Sequence, residues 1–309
     1  MTFDNSNIDL SGVDDRRGSP GGGLGGGLGG GRGMAVGGGG VVGLVVLVLV
    51  VLLGGNPLAG QANLGLPGGV DAPAGTGESR EELQARCSST EALDTYVDCR
   101  LIKAYNVLND TWSEEFAARG RTYEPPGLVF FSRAVSTGCG TATSEVGPFY
   151  CPADRSMYFD LQFLEQLQQQ FGASGRFAQI YILAHEGGHH LQTLLGIEPQ
   201  VRRAQRADPR RTNELSVRLE LQADCLAGVW STLADRNEGE GLVLSEQDVR
   251  EALGAAAAVG DDRIQEKVQG RISPEAFTHG SAEQRQRWLD TGLRSADLDA
   301  CDTFTPQTL

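Results

Sequence analysis

Apolar residues recur with a helical period over long stretches of this 309-residue chain. Between 176 and 195, Phe177, Ile180, Tyr181, Ala184, Leu191 and Leu195 fall on one stripe of a helix. Between 211 and 235, Leu215, Leu219, Leu226, Trp230 and Leu233 form a second such face. The same spacing predicts a helix over 90–108, carried by Leu93, Val97, Leu101, Ile102 and Tyr105, and others over 110–119, 161–171, 246–259 and 282–293. Pro125 and Pro126 close the first helical region. After them, "GLVFFSRAV" (127–135), "GPFYC" (147–151) and "RSMYFD" (155–160) are rich in aromatic and branched residues and bounded by Gly, Pro and Asp, as short strands are. A small β-sheet followed by several helices predicts an α+β fold, mainly helical, over residues 81–309.

Before residue 80 the periodicity disappears. The tract "GGGLGGGLGGGRG" (21–33) offers almost no side chains to bury, so residues 1–33 are expected to be a disordered Gly-rich tail. Then comes "VVGLVVLVLVVLL" (41–53), and no charge appears between Gly33 and Val70. With its flanks, the segment 34–55 supplies the roughly twenty apolar residues that a transmembrane helix needs. A cleaved signal peptide is the weaker alternative, because the run starts deep in the chain and no small-x-small site follows it. Arg16, Arg17 and Arg32 precede the run, and no Lys or Arg follows until Arg80. That bias predicts a single-pass protein of the cell membrane, with a cytoplasmic N-terminus, a linker over 56–80 and an extracytoplasmic domain.

All six cysteines lie beyond the apolar run, consistent with an oxidising compartment. Of the fifteen pairings that six cysteines allow, proximity favours Cys87–Cys99, Cys139–Cys151 and Cys225–Cys301. The net charge is −14 and no basic cluster is interleaved with aromatics, which excludes nucleic acid as a partner.

The stretch "AHEGGHHLQ" (184–192) holds three of the four histidines in the chain. On a helix, His185 and His189 lie about 40° apart and one turn along, so their imidazoles can share one cation. Glu186 then sits beside the metal's water rather than on the metal. H-E-x-x-H on a helix is thus two zinc ligands and a general base. A catalytic zinc needs a third protein ligand and one open position. Glu220, in "LELQADCLAGVW", is the candidate if its helix packs back on the first. Asp224, one turn later, is placed to accept the free N–H of a zinc histidine and fix its tautomer. Gly187 and Gly188 cost a helix about 1 kcal/mol each relative to Ala, which implies a close backbone approach, to the sheet edge or to a bound peptide. His190 points about 100° away from His189 and is expected to pack rather than ligate. Tyr150 and Tyr158 are expected in the strand core, with a substrate cleft as the alternative.

Together with "VDDRRG", the Gly-rich tract, "STGCGTATSEVGPFYCPADRSMYFD" and "FTHGSAEQRQRW", these stretches resemble the bacterial neutral zinc metallopeptidase family, single-pass membrane proteins with a zincin-type site. The resemblance covers residues 85–304. It implies Zn2+ held by His185, His189 and Glu220, with Glu186 catalytic, and it says little about the substrate. The expected activity is hydrolysis of a peptide or protein substrate by a zinc-bound water, whose pKa the metal lowers towards about 7. Glu186 acts as general base. His279, in "FTHGSAEQ", is the candidate further donor to the tetrahedral oxyanion. In the same stretch Ser281 and Gln284 read as a capping box, which makes helix entry the alternative role for His279. Two rivals remain: a catalytically silent zincin-like binding or scaffold module at the cell envelope, and a zinc hydrolase acting on a non-peptide amide. Glu186 counts against the first, since a structural zinc needs no base.

Overall fold

The segment Gly127–Phe131 (β3) has no polar face, and it becomes a central strand covered on both sides. The structure, a computed structural model, describes residues 1–17, 78–164, 175–237 and 241–309. In it β3 pairs in parallel with Val13–Asp15 (β2) and with Ser156–Asp160 (β7). Phe149–Cys151 (β6) closes one edge, antiparallel to β7. Alternate residues of β3 and β7 serve two cores, as the period of a strand requires. Leu128, Phe130, Met157 and Phe159 turn to the helices. Val129, Phe131 and Tyr158 meet a smaller core under the hairpin of Ala134–Thr137 (β4) and Gly140–Thr143 (β5).

Among the described residues, the helices between β2 and β3 are Arg80–Arg86 (α1), Thr90–Thr95 (α2) and Val97–Ala118 (α3). The chain beyond the sheet forms Arg176–Leu194 (α4), Ile197–Ala207 (α5), Thr212–Arg236 (α6), Glu246–Ala258 (α7), Asp261–Gln269 (α8) and Ala282–Ser295 (α9). Helices α4, α6, α7 and α9 match the predicted spans to within one or two residues at each end. The expected α+β class holds. The predicted break near residue 109 is absent. Trp112 and Phe116 prolong the buried stripe of Leu101, Tyr105 and Leu108, and the Thr111 hydroxyl donates back to the Val107 carbonyl at 2.7 Å. Helices α5 and α8 escaped prediction because they are short and mostly polar, with only Val201 and Gln205 buried on the first and Asp261 and Gln265 on the second. Of the predicted helix 161–171, residues 161–164 are helical and the rest lie outside the described residues.

The glycines in α4 serve helix packing. A Cβ on Gly188 would lie 2.9 Å from the Ala223 carbonyl oxygen, and one on Gly187 would lie 2.9 Å from a Leu108 methyl. They let α4 approach α6 and α3, not a sheet edge or a peptide. Gly228 and Gly292 do the same where the backbones of α6 and α9 cross. The three disulfides pair as proximity suggested, and Cys225–Cys301 pins the segment after α9 to α6.

The tail departs most from expectation. Residues 1–17 belong to the body. Thr2–Phe3 (β1) pairs antiparallel with Leu242–Val243 (β8), β2 lies in the main sheet, and Phe3, Leu10 and Val13 enter the main core. The Leu128 N–H donates to the Gly12 carbonyl and the Arg16 N–H to the Phe130 carbonyl, each at 2.8 Å. Strands of two and three residues have no period to read, and their partners lie more than a hundred positions away. The apolar run 41–53, with the transmembrane helix expected at 34–55, lies outside the described residues. Among those described, no helix is long and apolar enough to cross a membrane.

Candidate metal centre

The glycine-mediated contact of α4 with α6 brings the three expected donors together. The Nε2 atom of His185 lies 3.2 Å from Glu220 Oε2, and that of His189 lies 3.6 Å from Glu220 Oε1. One donor atom from each of the three residues falls within 4.8 Å of the other two. Tetrahedral bonds of about 2.1 Å set their ends roughly 3.4 Å apart, so the set fits a zinc ion. The two imidazole rings stand nearly perpendicular, their centroids 4.8 Å apart.

Hydrogen bonds behind the rings fix which nitrogen faces the cluster. His185 donates through Nδ1 to Asp224 Oδ1 at 2.8 Å, and His189 donates through Nδ1 to Gln192 Oε1 at 2.8 Å. Both Nε2 lone pairs are thereby left towards Glu220, the tautomer that a metal ligand needs. Asp224 is itself held by a bidentate pair with Arg285 of α9, at 2.8 and 2.9 Å, and accepts from the Tyr181 hydroxyl at 2.5 Å. Gln192 donates to the Leu219 carbonyl and to Gln222, whose own amide donates to the carbonyl of Cys301. Each histidine is thus backed by a chain of polar groups that ends in the C-terminal part of the fold.

The electrostatics follow from burial. Desolvation alone would raise Asp224, but Arg285 and His185 outweigh it and hold the carboxyl at about 2. Burial likewise opposes ionisation of Glu220, and the neighbouring imidazoles outweigh it, pulling its pKa far below the usual range. Between Asp224 and Glu220, His185 is raised to about 10 despite its burial. Protons and a cation therefore compete for this ring. Glu186 is buried next to the cluster, and desolvation, partly offset by the two histidines, raises its pKa. A carboxylate shifted in that direction is a better proton acceptor.

His279 stands in the loop before α9. Asp261, the first residue of α8, accepts the backbone N–H groups of Thr278, His279 and Gly280 at 2.6, 2.7 and 3.1 Å, and its other oxygen lies 3.1 Å from His279 Nδ1. The loop rests on α6 on either side of Glu220: a Cβ on Gly280 would lie 3.1 Å from Leu221 and 3.4 Å from Val217. Burial depresses the His279 pKa, but the bond to Asp261 and the charge of Glu220 more than reverse it. Ser281 caps α9 with Gln284 in the expected box, so the helix entry does not use the His279 ring.

His190 packs as predicted. Fully buried, it bridges the Glu124 carbonyl at 2.6 Å and the Tyr150 hydroxyl at 3.0 Å, and desolvation lowers it to about 4. Tyr150 and Tyr158 are core residues. Sequence reasoning missed Gln192, Tyr181, Arg285 and Asp261. Tyr181 and Gln192 sit four residues before His185 and three after His189, on the same helix face, and that spacing was the available signal. Nothing local marked Arg285 or Asp261.

The comparisons with known proteins bear on the family. A 50% identical relative, "Uncharacterized protein YpfJ" of Escherichia coli, matches over 196 residues, 63% of this chain and 67% of its own. "Uncharacterized protein Mb2605" of Mycobacterium bovis is 44% identical over 232 residues, 73% of this chain and 76% of its own. No solved structure matches significantly. The family model described as "Putative neutral zinc metallopeptidase" matches residues 4–304. The chain belongs to that family.

Proposed function

We propose that the protein is a zinc-dependent peptidase. One observation carries the reading: two tautomer-fixed imidazoles and a carboxylate from a second helix converge beside a buried, raised-pKa glutamate. His185, His189 and Glu220 hold the ion. Zinc bound there supplies a Lewis acid for the scissile carbonyl and acidifies a water. Glu186 takes the proton of the attacking water and delivers it to the departing amine. Asp224 and Gln192 keep both rings in the ligating tautomer, and Arg285 keeps Asp224 ionised. Asp261 accepts from His279 Nδ1 and, with Glu220, favours the protonated ring, whose Nε2–H can then donate to the oxyanion of the tetrahedral intermediate.

The substrate class is a peptide or protein. The scaffold reading predicts a bound ion without turnover. It gains nothing from a desolvated glutamate at the cluster, since a buried carboxylate that ligates nothing only costs stability. The test uses the purified full chain: metal content by elemental analysis, and cleavage of a mixed peptide library by wild type and Glu186→Gln. The expected result is one zinc per chain in both proteins and cleavage by wild type alone. Equal cleavage by both removes the proposal, and one zinc without any cleavage favours the scaffold.

A further inference from the structure

The two sides of the apolar run are parts of one folded body. Before the run, β2 is hydrogen-bonded to β3, and the carbonyls of Leu10 and Val13 accept from the Arg80 guanidinium at 2.9 and 3.3 Å. Arg80 is the first residue of α1. Asn106 of α3 exchanges hydrogen bonds with the backbone of Asp9, and Lys103 donates to Asn5 at 2.9 Å. Arg17 and Glu78, on either side of the undescribed residues, therefore lie in one neighbourhood: Arg86 pairs with Glu78 and with Asp98, and Asp98 pairs with Arg17.

Backbone pairing of this kind cannot span a hydrocarbon core about 30 Å thick. The charges that predicted a cytoplasmic N-terminus also have another use. Arg16 pairs with Asp14 at 2.7 Å. Arg17 pairs with Asp15 at 2.6 Å and with the buried Asp98 at 2.8 Å, its guanidinium lying over the Phe130 ring. Of the three arginines preceding the run, two are thus engaged by carboxylates of the body.

We infer that residues 1–17 lie on the same side of any membrane as the candidate metal centre. The inference is independent of the peptidase reading, because it rests on strand pairing and not on the donors.

The experiment uses the full chain in bacterial cells. All six native cysteines are in disulfides, so a single added cysteine is the one free thiol. Asn7→Cys and Arg250→Cys, at exposed positions before and after the run, are treated with a membrane-impermeant maleimide, with and without permeabilisation. The expected result is the same response at both sites. Labelling of one in intact cells and of the other only after permeabilisation overturns the inference. A second measurement joins Thr2→Cys to Val243→Cys, opposite partners in the β1–β8 pair. With a protease site inserted between Gly21 and Gly33, the cut N-terminal fragment stays attached until a thiol reductant is added. Release without reductant overturns the docking.

Discussion

The helical half and the sheet half of this molecule are held together by different means. In the helical half, α4, α6 and α9 pack at backbone distance through glycines, and the space between them encloses a continuous network of Glu220, His185, Asp224 and Arg285, with Glu186 buried beside it. In the sheet half, the network is replaced by apolar side chains on both faces of β3 and β7, and the polar contacts lie at the rim, where the N-terminal segment docks. The difference separates tolerance from chemistry. The rim pair of Arg17 with the buried Asp98 leaves a second cation, Arg86, in place when Arg17 is removed, whereas each member of the enclosed network leaves a partner uncompensated.

The sharpest way to test that contrast is at its reactive end. Glu186→Gln is expected to lower peptide cleavage by about 10²–10⁴-fold, the usual contribution of a general base, while metal analysis still finds one zinc. Gly188→Ala attacks the packing beneath the site. Its Cβ meets the Ala223 backbone, which has no rotamer to yield, so thermal or denaturant unfolding is expected to show a loss of roughly 1–3 kcal/mol with reduced zinc content. Asp224→Asn keeps the shape but frees the His185 tautomer, and competition with a chelator is expected to show zinc held about 10–100-fold more weakly. The rim is expected to respond least. Arg17→Ala is predicted to cost about 1 kcal/mol, because Asp98 keeps Arg86 at 2.7 Å, and to leave zinc affinity unchanged.

Acid provides a graded version of the last test. Burial would raise Asp98, yet Arg86 and Arg17 hold it below its ordinary value. A carboxylate depressed in the fold contributes stability in full above its unfolded pKa, near 3.9, and loses it as pH falls through the lower folded value. Proteolytic protection of residues 1–17 is therefore expected to be flat from neutrality down to about pH 4 and to decline below it. A decline near pH 6 would place the controlling group elsewhere.

The contrast also explains what could be read in advance. His185, Glu186 and His189 announce themselves because the two imidazoles and the carboxylate share one helix, and the helical period converts spacing directly into direction. Glu220 and Asp224 were reachable because E-x-x-x-D repeats that logic on a second amphipathic helix. Arg285 was not. Its role depends on the crossing of α9 over α6 at Gly228 and Gly292, a fact about tertiary geometry that no spacing encodes. Asp261 was passed over because its partners are mostly backbone N–H groups, which leave no mark on the sequence. The N-terminal strands were missed for the opposite reason. A glycine tract nearby suggested disorder for everything before it, while "VDD" had already found its partner across the chain.

The supports behind the two histidines have an order in time. Every donor has been synthesised once Glu220 is made. The groups that aim the imidazoles answer to later residues, Arg285 for one ring and the carbonyl of Cys301 for the other. A growing polypeptide consequently carries the three clustered side chains through some eighty codons without the groups that aim them. Assembly of the cluster waits on the last helix and on the segment pinned behind it.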